Sequence, residues 1–142
     1  MRDEFNLIQI IEELAKKDPR YPEEAYFFVL RGLNFTVARL DKPRHVTGQE
    51  LSDGMRLYAV EQFGPMAKDV LEHWGIARTG DFGNIVFNLI EVKLLAKTEA
   101  DSIDDFKDVY DFKKAFTRPV FAAVPTISPP LAIAERSWPV PP

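Results

Sequence analysis

Two histidines and no cysteine limit what chemistry this 142-residue chain can do. Without a thiol there is no disulfide framework, no thiolate zinc site and no cysteine nucleophile. His45 is the better placed histidine for acid–base work, because Glu50 and Asp53 follow it within about two helical turns. His73 stands beside Trp74 near an expected helix C-terminus, where the dipole favours a cation and packing accounts for the pair. Neither histidine has a histidine or carboxylate four residues further on, so neither starts a helical metal pair. Asp81-Phe82-Gly83 spells the magnesium-binding tripeptide of protein kinases. No glycine-rich phosphate loop or catalytic-loop signature accompanies it, and it reads as the first turn of a helix. Neither G-x-S-x-G nor H-E-x-x-H occurs.

Two charged segments also bear on function. Glu99, Asp101, Asp104, Asp105, Asp108 and Asp111 face only Lys107 across a window without glycine. An EF-hand loop needs ligands at fixed positions and a glycine at its sixth, so the run reads as a solvated acidic face. Arg31, Arg39, Lys42, Arg44 and His45 form the one basic segment. It reads either as a dock for a phosphate-bearing partner or as a loop kept soluble by charge. No cofactor and no metal are expected from these patterns.

The composition frames these segments. At 46% apolar and 28% charged, the chain has a globular makeup of one-domain size. No apolar run approaches the roughly 18 residues of a membrane span, and Met1-Arg2-Asp3-Glu4 lacks the basic-then-apolar order of a signal peptide. A cytoplasmic location without a membrane partner is therefore expected. The net charge of −4 argues against non-specific nucleic-acid binding.

Helices must position most of these residues. Asp3 is placed to cap a first helix over 3–17, with Phe5, Leu7, Ile8, Ile11, Leu14 and Ala15 as its apolar stripe. Pro22, Glu23 and Glu24 open a second helix to about residue 40, interrupted or finished near Gly32 to Thr36. Thr47 and Glu50 form a capping box for a third, over 48–63. Gly64-Pro65 starts a fourth, over 66–74, which Gly75 closes. Thr79 caps a fifth through about residue 95. Between 97 and 116 two patterns compete: a second capping box at Ser102 and Asp105, and a strand pair using Phe106, Val109, Tyr110 and Phe112.

The expected fold is thus mainly α, a single domain of five or six helices over 1–116, with a winged-helix-like hairpin near 96–112 as the open alternative. Residues 117–142 hold seven of the eleven prolines and no glycine. They also carry Val120, Phe121, Val124, Ile127, Leu131, Ile133, Trp138 and Val140, but only three charges, Arg118, Glu135 and Arg136. Proline-fixed dihedrals and apolar side chains together suit an extended strap that docks on a surface, with Phe121 and Trp138 buried in its own body or in a second copy.

Several motifs taken together resemble one family. They are Arg20-Tyr21-Pro22-Glu23-Glu24-Ala25-Tyr26, Arg44-His45-Val46-Thr47-Gly48-Gln49-Glu50-Leu51 and Phe63-Gly64-Pro65-Met66-Ala67. Val70-Leu71-Glu72-His73-Trp74-Gly75-Ile76, Asp81-Phe82-Gly83-Asn84-Ile85-Val86-Phe87-Asn88-Leu89 and Asp108-Val109-Tyr110-Asp111-Phe112 complete the set. Over residues 18–116 the chain resembles a small family found largely in planctomycete and verrucomicrobial bacteria. The resemblance implies no activity, cofactor or site residue. The chain departs from the family at Val92-Lys93, where a glycine is expected before Leu94-Leu95.

Two functions of different class follow. The first is a non-enzymatic protein-interaction or adaptor module, whose partner contacts involve Arg39, Arg44, His45, Phe121 and Trp138 and whose tail binds a protein partner or a second copy. The alternative is a helix-turn-helix regulator of nucleic acid. In it 66–74 and 79–95 are the two helices, and Asp81, Asn84, Asn88, Glu91 and Lys93 lie outward on the reading helix. An enzyme using His45 and Glu50 ranks third.

Overall fold

A computed structural model describes residues 2–116 of the chain, with side chains from residue 6 onward. The predicted strap, with Phe121 and Trp138, lies outside the described residues. Six α-helices account for most of the rest: α1 (Arg2–Lys17), α2 (Glu23–Ala38), α3 (Gly48–Phe63), α4 (Ala67–His73), α5 (Thr79–Glu91) and α6 (Phe112–Phe116). No strand occurs among the described residues, and none of their helices is long and apolar enough to cross a membrane.

The α1 helix begins at Arg2, so Asp3 lies inside its first turn and not ahead of it. Its apolar stripe buries Ile11 and Leu14 while Ile8 stays exposed. The α2 helix runs unbroken through Gly32 and ends at Ala38, against the expected interruption. Its glycine serves close packing instead. A Cβ at Gly32 would collide with Met55 Sδ of α3, and one at Gly54 with Thr36 Oγ1. Each helix thus presents a glycine where the other presents a side chain, and their backbones approach closely. Thr36 settles its hydroxyl internally by donating to Gly32 O at 2.7 Å.

The α3 capping box forms as expected: Glu50 N donates to Thr47 Oγ1 at 3.1 Å, and Thr47 N to Glu50 Oε1 at 2.9 Å. Gly64, at φ +53°, turns the chain into a 3-10 turn, Gly64–Met66, that leads into α4. Gly75, at φ +84°, ends α4 with Ile76 N bonded to Leu71 O and Gly75 N to Glu72 O, both at 2.9 Å. This is the paired bonding of a Schellman cap.

The α5 helix is the centre of the packing, with Phe82, Ile85 and Leu89 fully buried. Thr79 does not cap it. Thr79 is its first residue, and its fully buried hydroxyl accepts Val109 N at 3.1 Å. The helix also stops four residues short of the expected end, again in a Schellman cap. Leu94 N bonds Leu89 O at 3.0 Å and Lys93 N bonds Ile90 O at 2.9 Å. Lys93 holds the left-handed backbone, φ +65°, at the place where the resemblance called for glycine.

Residues 96–111 carry turns and a short 3-10 helix, Ile103–Phe106, opened by the Ser102–Asp105 capping box. Phe106 explains why the segment coils there. Its ring packs against Gly48 of α3 and Gly83 of α5, where an added Cβ would lie 2.7–3.1 Å from Asp105 Cβ and Phe106 atoms. Tyr110 stacks on Phe112, Phe116 meets both rings edge-on, and Tyr110 donates to Ser52 O at 2.7 Å. A second aromatic group, Phe28 with Tyr58, Phe63 and Trp74, fills the other end of the core.

Candidate functional site

Two polar constellations emerge, and they differ in what surrounds them. The first joins the α1–α2 connection to α5. Tyr21, buried to 1% exposure, donates to Asp81 Oδ1 at 2.5 Å and accepts Asn84 Nδ2 at 2.9 Å. One turn along, Asn88 Nδ2 donates to Asp18 Oδ2 at 2.8 Å and to Tyr26 Oη at 3.0 Å. Arg20 clamps Asp18 through two bonds of 2.8 Å. These bonds from Arg20 hold the Asp18 carboxyl well below the usual range, against the opposing effect of burial. Burial, then the neighbouring Asp81 carboxylate, pushes the Tyr21 hydroxyl up.

This joint accounts for the kinase-like tripeptide residue by residue. The other oxygen of Asp81 accepts Ala77 N at 2.8 Å and Arg78 N at 3.2 Å, tying down the chain entering α5. Phe82 is core, and Gly83 leaves space for Phe106. The joint also engages Asp81, Asn84 and Asn88, which a nucleic-acid reading helix would turn outward. Glu91 is the one α5 residue more than a third exposed.

The second constellation rims a cleft of about 320 Å³ between α2, α3, α5 and residues 95–106. Leu33 and Val37 of α2, Leu51 of α3, Val86 and Ile90 of α5, and Leu95 beyond it supply its apolar lining. Arg44, His45, Lys97 and Asp101 stand among its polar residues. His45 Nε2 lies 2.6 Å from Asp101 Oδ2, not beside Glu50 or Asp53. Glu50 is engaged by Arg44 through bonds of 3.0 and 2.9 Å, and Asp53 by Arg56 at 2.9 Å. The Arg44 guanidinium, helped by Thr47 N–H, pulls the Glu50 carboxyl down to about 2. Asp101 is lowered chiefly by Thr98 N–H, with the Thr98 hydroxyl and His45 adding to the effect.

Of the five residues expected at a partner surface, Arg44 and His45 meet at this cleft. Arg39 does not join them: its guanidinium lies over the Phe35 ring, 5.5 Å from the centroid, on the side of α2 opposite Leu33 and Val37. Phe121 and Trp138 lie outside the described residues. Asp101 is the site residue the sequence concealed, being 56 positions from His45, although its bond to Thr98 N marks it as a turn-capping acid.

Half of the acidic run resolves into caps. Besides Asp101, Asp105 accepts Ser102 N at 3.0 Å and Asp111 accepts Lys114 N at 3.1 Å. Among the described residues, no three histidine or acidic side chains are placed to hold a metal ion. The hydroxyls lining the cleft face backbone donors: Thr47 accepts Glu50 N, and Ser102 accepts Asp104 N at 3.1 Å. A second hollow of about 470 Å³, beside Lys68, Glu72, Arg78 and Lys113, mixes charges of both signs and has less apolar lining. No protein-family model, curated protein or solved structure matches the chain.

Proposed function

We propose that the protein is a non-enzymatic interaction module whose cleft receives an extended, apolar protein segment, with Arg44 and His45 on the rim. The observation that carries this reading is an open apolar floor beneath a polar rim on which Arg44 and His45 already hold carboxylate partners. An apolar floor rewards burial of a partner side chain, and fixed polar groups at its edge orient the backbone that carries it. The paired rim suits a peptide better than a phosphate, which would have to compete with Glu50 for Arg44 and with Asp101 for His45. The inward use of Asn84 and Asn88 favours a protein partner over nucleic acid. Kinship with the bacterial family of the motifs above belongs to the same proposal and adds no activity to it.

The test is an amide-shift titration of the full chain with peptides carrying one aromatic residue between prolines. It is run on the natural sequence and on a double variant, Phe121→Ser with Trp138→Ser, that cannot offer its own aromatics. Saturable shifts at Leu33, Val37, Ile90 and Leu95 are expected in the double variant. Shifts elsewhere, or none, would overturn the reading.

A further inference from the structure

The cleft is apolar, open and within reach of an apolar segment of the same chain. Residues 117–142 follow directly on α6, which packs against α3 and α4. Twenty-six residues of extended chain span up to about 85 Å, more than twice the breadth of a domain this size. Distance therefore places no surface of the body beyond them. Their composition fits the floor: eight sizeable apolar side chains stand between seven prolines. Proline lowers the entropy lost when an extended segment is ordered, and each buried apolar side chain gains from leaving water.

The charges agree as well. Besides Arg44 and His45 the rim carries Lys97, whose Nζ donates to the Thr98 and Asp101 carbonyls, and Asp105, which accepts Ser102 N; Glu135 and Arg136 precede Trp138 by three and two positions with one charge of each sign. The Trp138 indole is the largest apolar side chain the segment has to fill the floor, and a residue that precedes a proline, as Trp138 precedes Pro139, favours extended over helical dihedrals.

We infer that the occupant of the cleft is the chain's own proline-rich segment, seated through Trp138 against Leu33, Val37, Ile90 and Leu95. This rests on the reading of the cleft as a peptide site and names its ligand. The segment then acts as an internal competitor, and an outside partner binds only by displacing it.

The natural composition makes the test direct, since Trp74 and Trp138 are the only tryptophans and there is no cysteine. In full-length Trp74→Phe, Trp138 is the sole indole. Its emission is expected to the blue of free tryptophan, with quenching by acrylamide reduced several-fold. Adding Val37→Arg or Leu95→Arg, half-buried positions on different walls, is expected to return both signals to solvent values while circular dichroism stays helical. Should one variant unfold, the other carries the test. As an independent measure, the pair Asn34→Cys and Ser137→Cys is expected to oxidise several-fold faster than Gln62→Cys and Ser137→Cys, since Asn34 lines the cleft and Gln62 does not. Solvent-like Trp138 in Trp74→Phe, a buried signal that both folded arginine variants leave unchanged, or equal oxidation rates would overturn the inference. The peptide titration of the double variant judges the cleft itself separately.

Discussion

The joint at Tyr21 and the rim at His45 use similar groups to opposite ends. Each sets a ring-bearing side chain against an aspartate distant in sequence, Tyr21 with Asp81 and His45 with Asp101. At the joint, the tyrosine is 1% exposed, and Asn84, Asn88 and Tyr26 close the network. At the rim, the histidine side chain is 46% exposed above an apolar hollow. A buried polar network holds elements together because each member becomes costly once its partner is removed. A pair with one half-exposed member loses less when broken, since water reaches the freed group. The joint is therefore architecture, and the rim is surface that a ligand can use.

The sharpest way to break this contrast is Asp81→Ala. It strips Tyr21 of its acceptor and frees the Ala77 and Arg78 N–H groups. A loss of about 2–4 kcal/mol in denaturant unfolding is expected from the orphaned groups and the lost cap. A loss no larger than that of Asp101→Ala would make the two sites equivalent. For Asp101→Ala the expectation is about 1 kcal/mol, because only the Thr98 turn and one pair with a half-exposed histidine are given up.

Titration gives a second comparison. Asp18 has a depressed carboxyl in the folded chain, so as pH falls the unfolded state takes up the proton first. Its contribution is complete above about pH 5 and fades as pH falls through the ordinary carboxylate range toward the folded value. Asp18→Asn is expected to flatten that acid limb in a series of unfolding curves. Glu50→Gln is expected to flatten it less, because the Arg44–Glu50 pair is exposed and screened.

The smallest expected effect is a gain. Gly75 and Lys93 occupy the same position of two Schellman caps, at φ +84° and +65°. Lys93→Gly relieves a side chain held in the left-handed region and is expected to raise stability by about 0.5–1 kcal/mol, read as a higher melting temperature. Gly75→Ala is expected to do the reverse, since its Cβ would also meet Arg20 O. A neutral Lys93→Gly would show that this end of α5, which carries Leu95 to the cleft wall, has no strain to release.

The sequence by itself determined the features that depend on neighbours within about one helical turn. The Thr47–Glu50 box, the Gly64-Pro65 start, the Gly75 stop and the apolar stripes of α1 and α5 are all such local matters, whereas the Ser102–Asp105 box was one of two patterns the sequence left open. Each is decided by bonds between residues i and about i+4, so residue type and spacing suffice to read them. Only the tertiary structure decided that Gly32 and Gly54 are contact points and not helix breaks. It also decided that Asn84 and Asn88 turn inward, that His45 meets Asp101 and not Glu50, and that four separate segments enclose one apolar cleft. Glycine has no side chain to announce its neighbour, and an amide or carboxylate bonds as readily to water as to a distant partner. Which of these it meets is settled when Phe106 fills its slot between α3 and α5 and the α1–α2 connection closes on α5, because packing at that density leaves each polar group one set of partners.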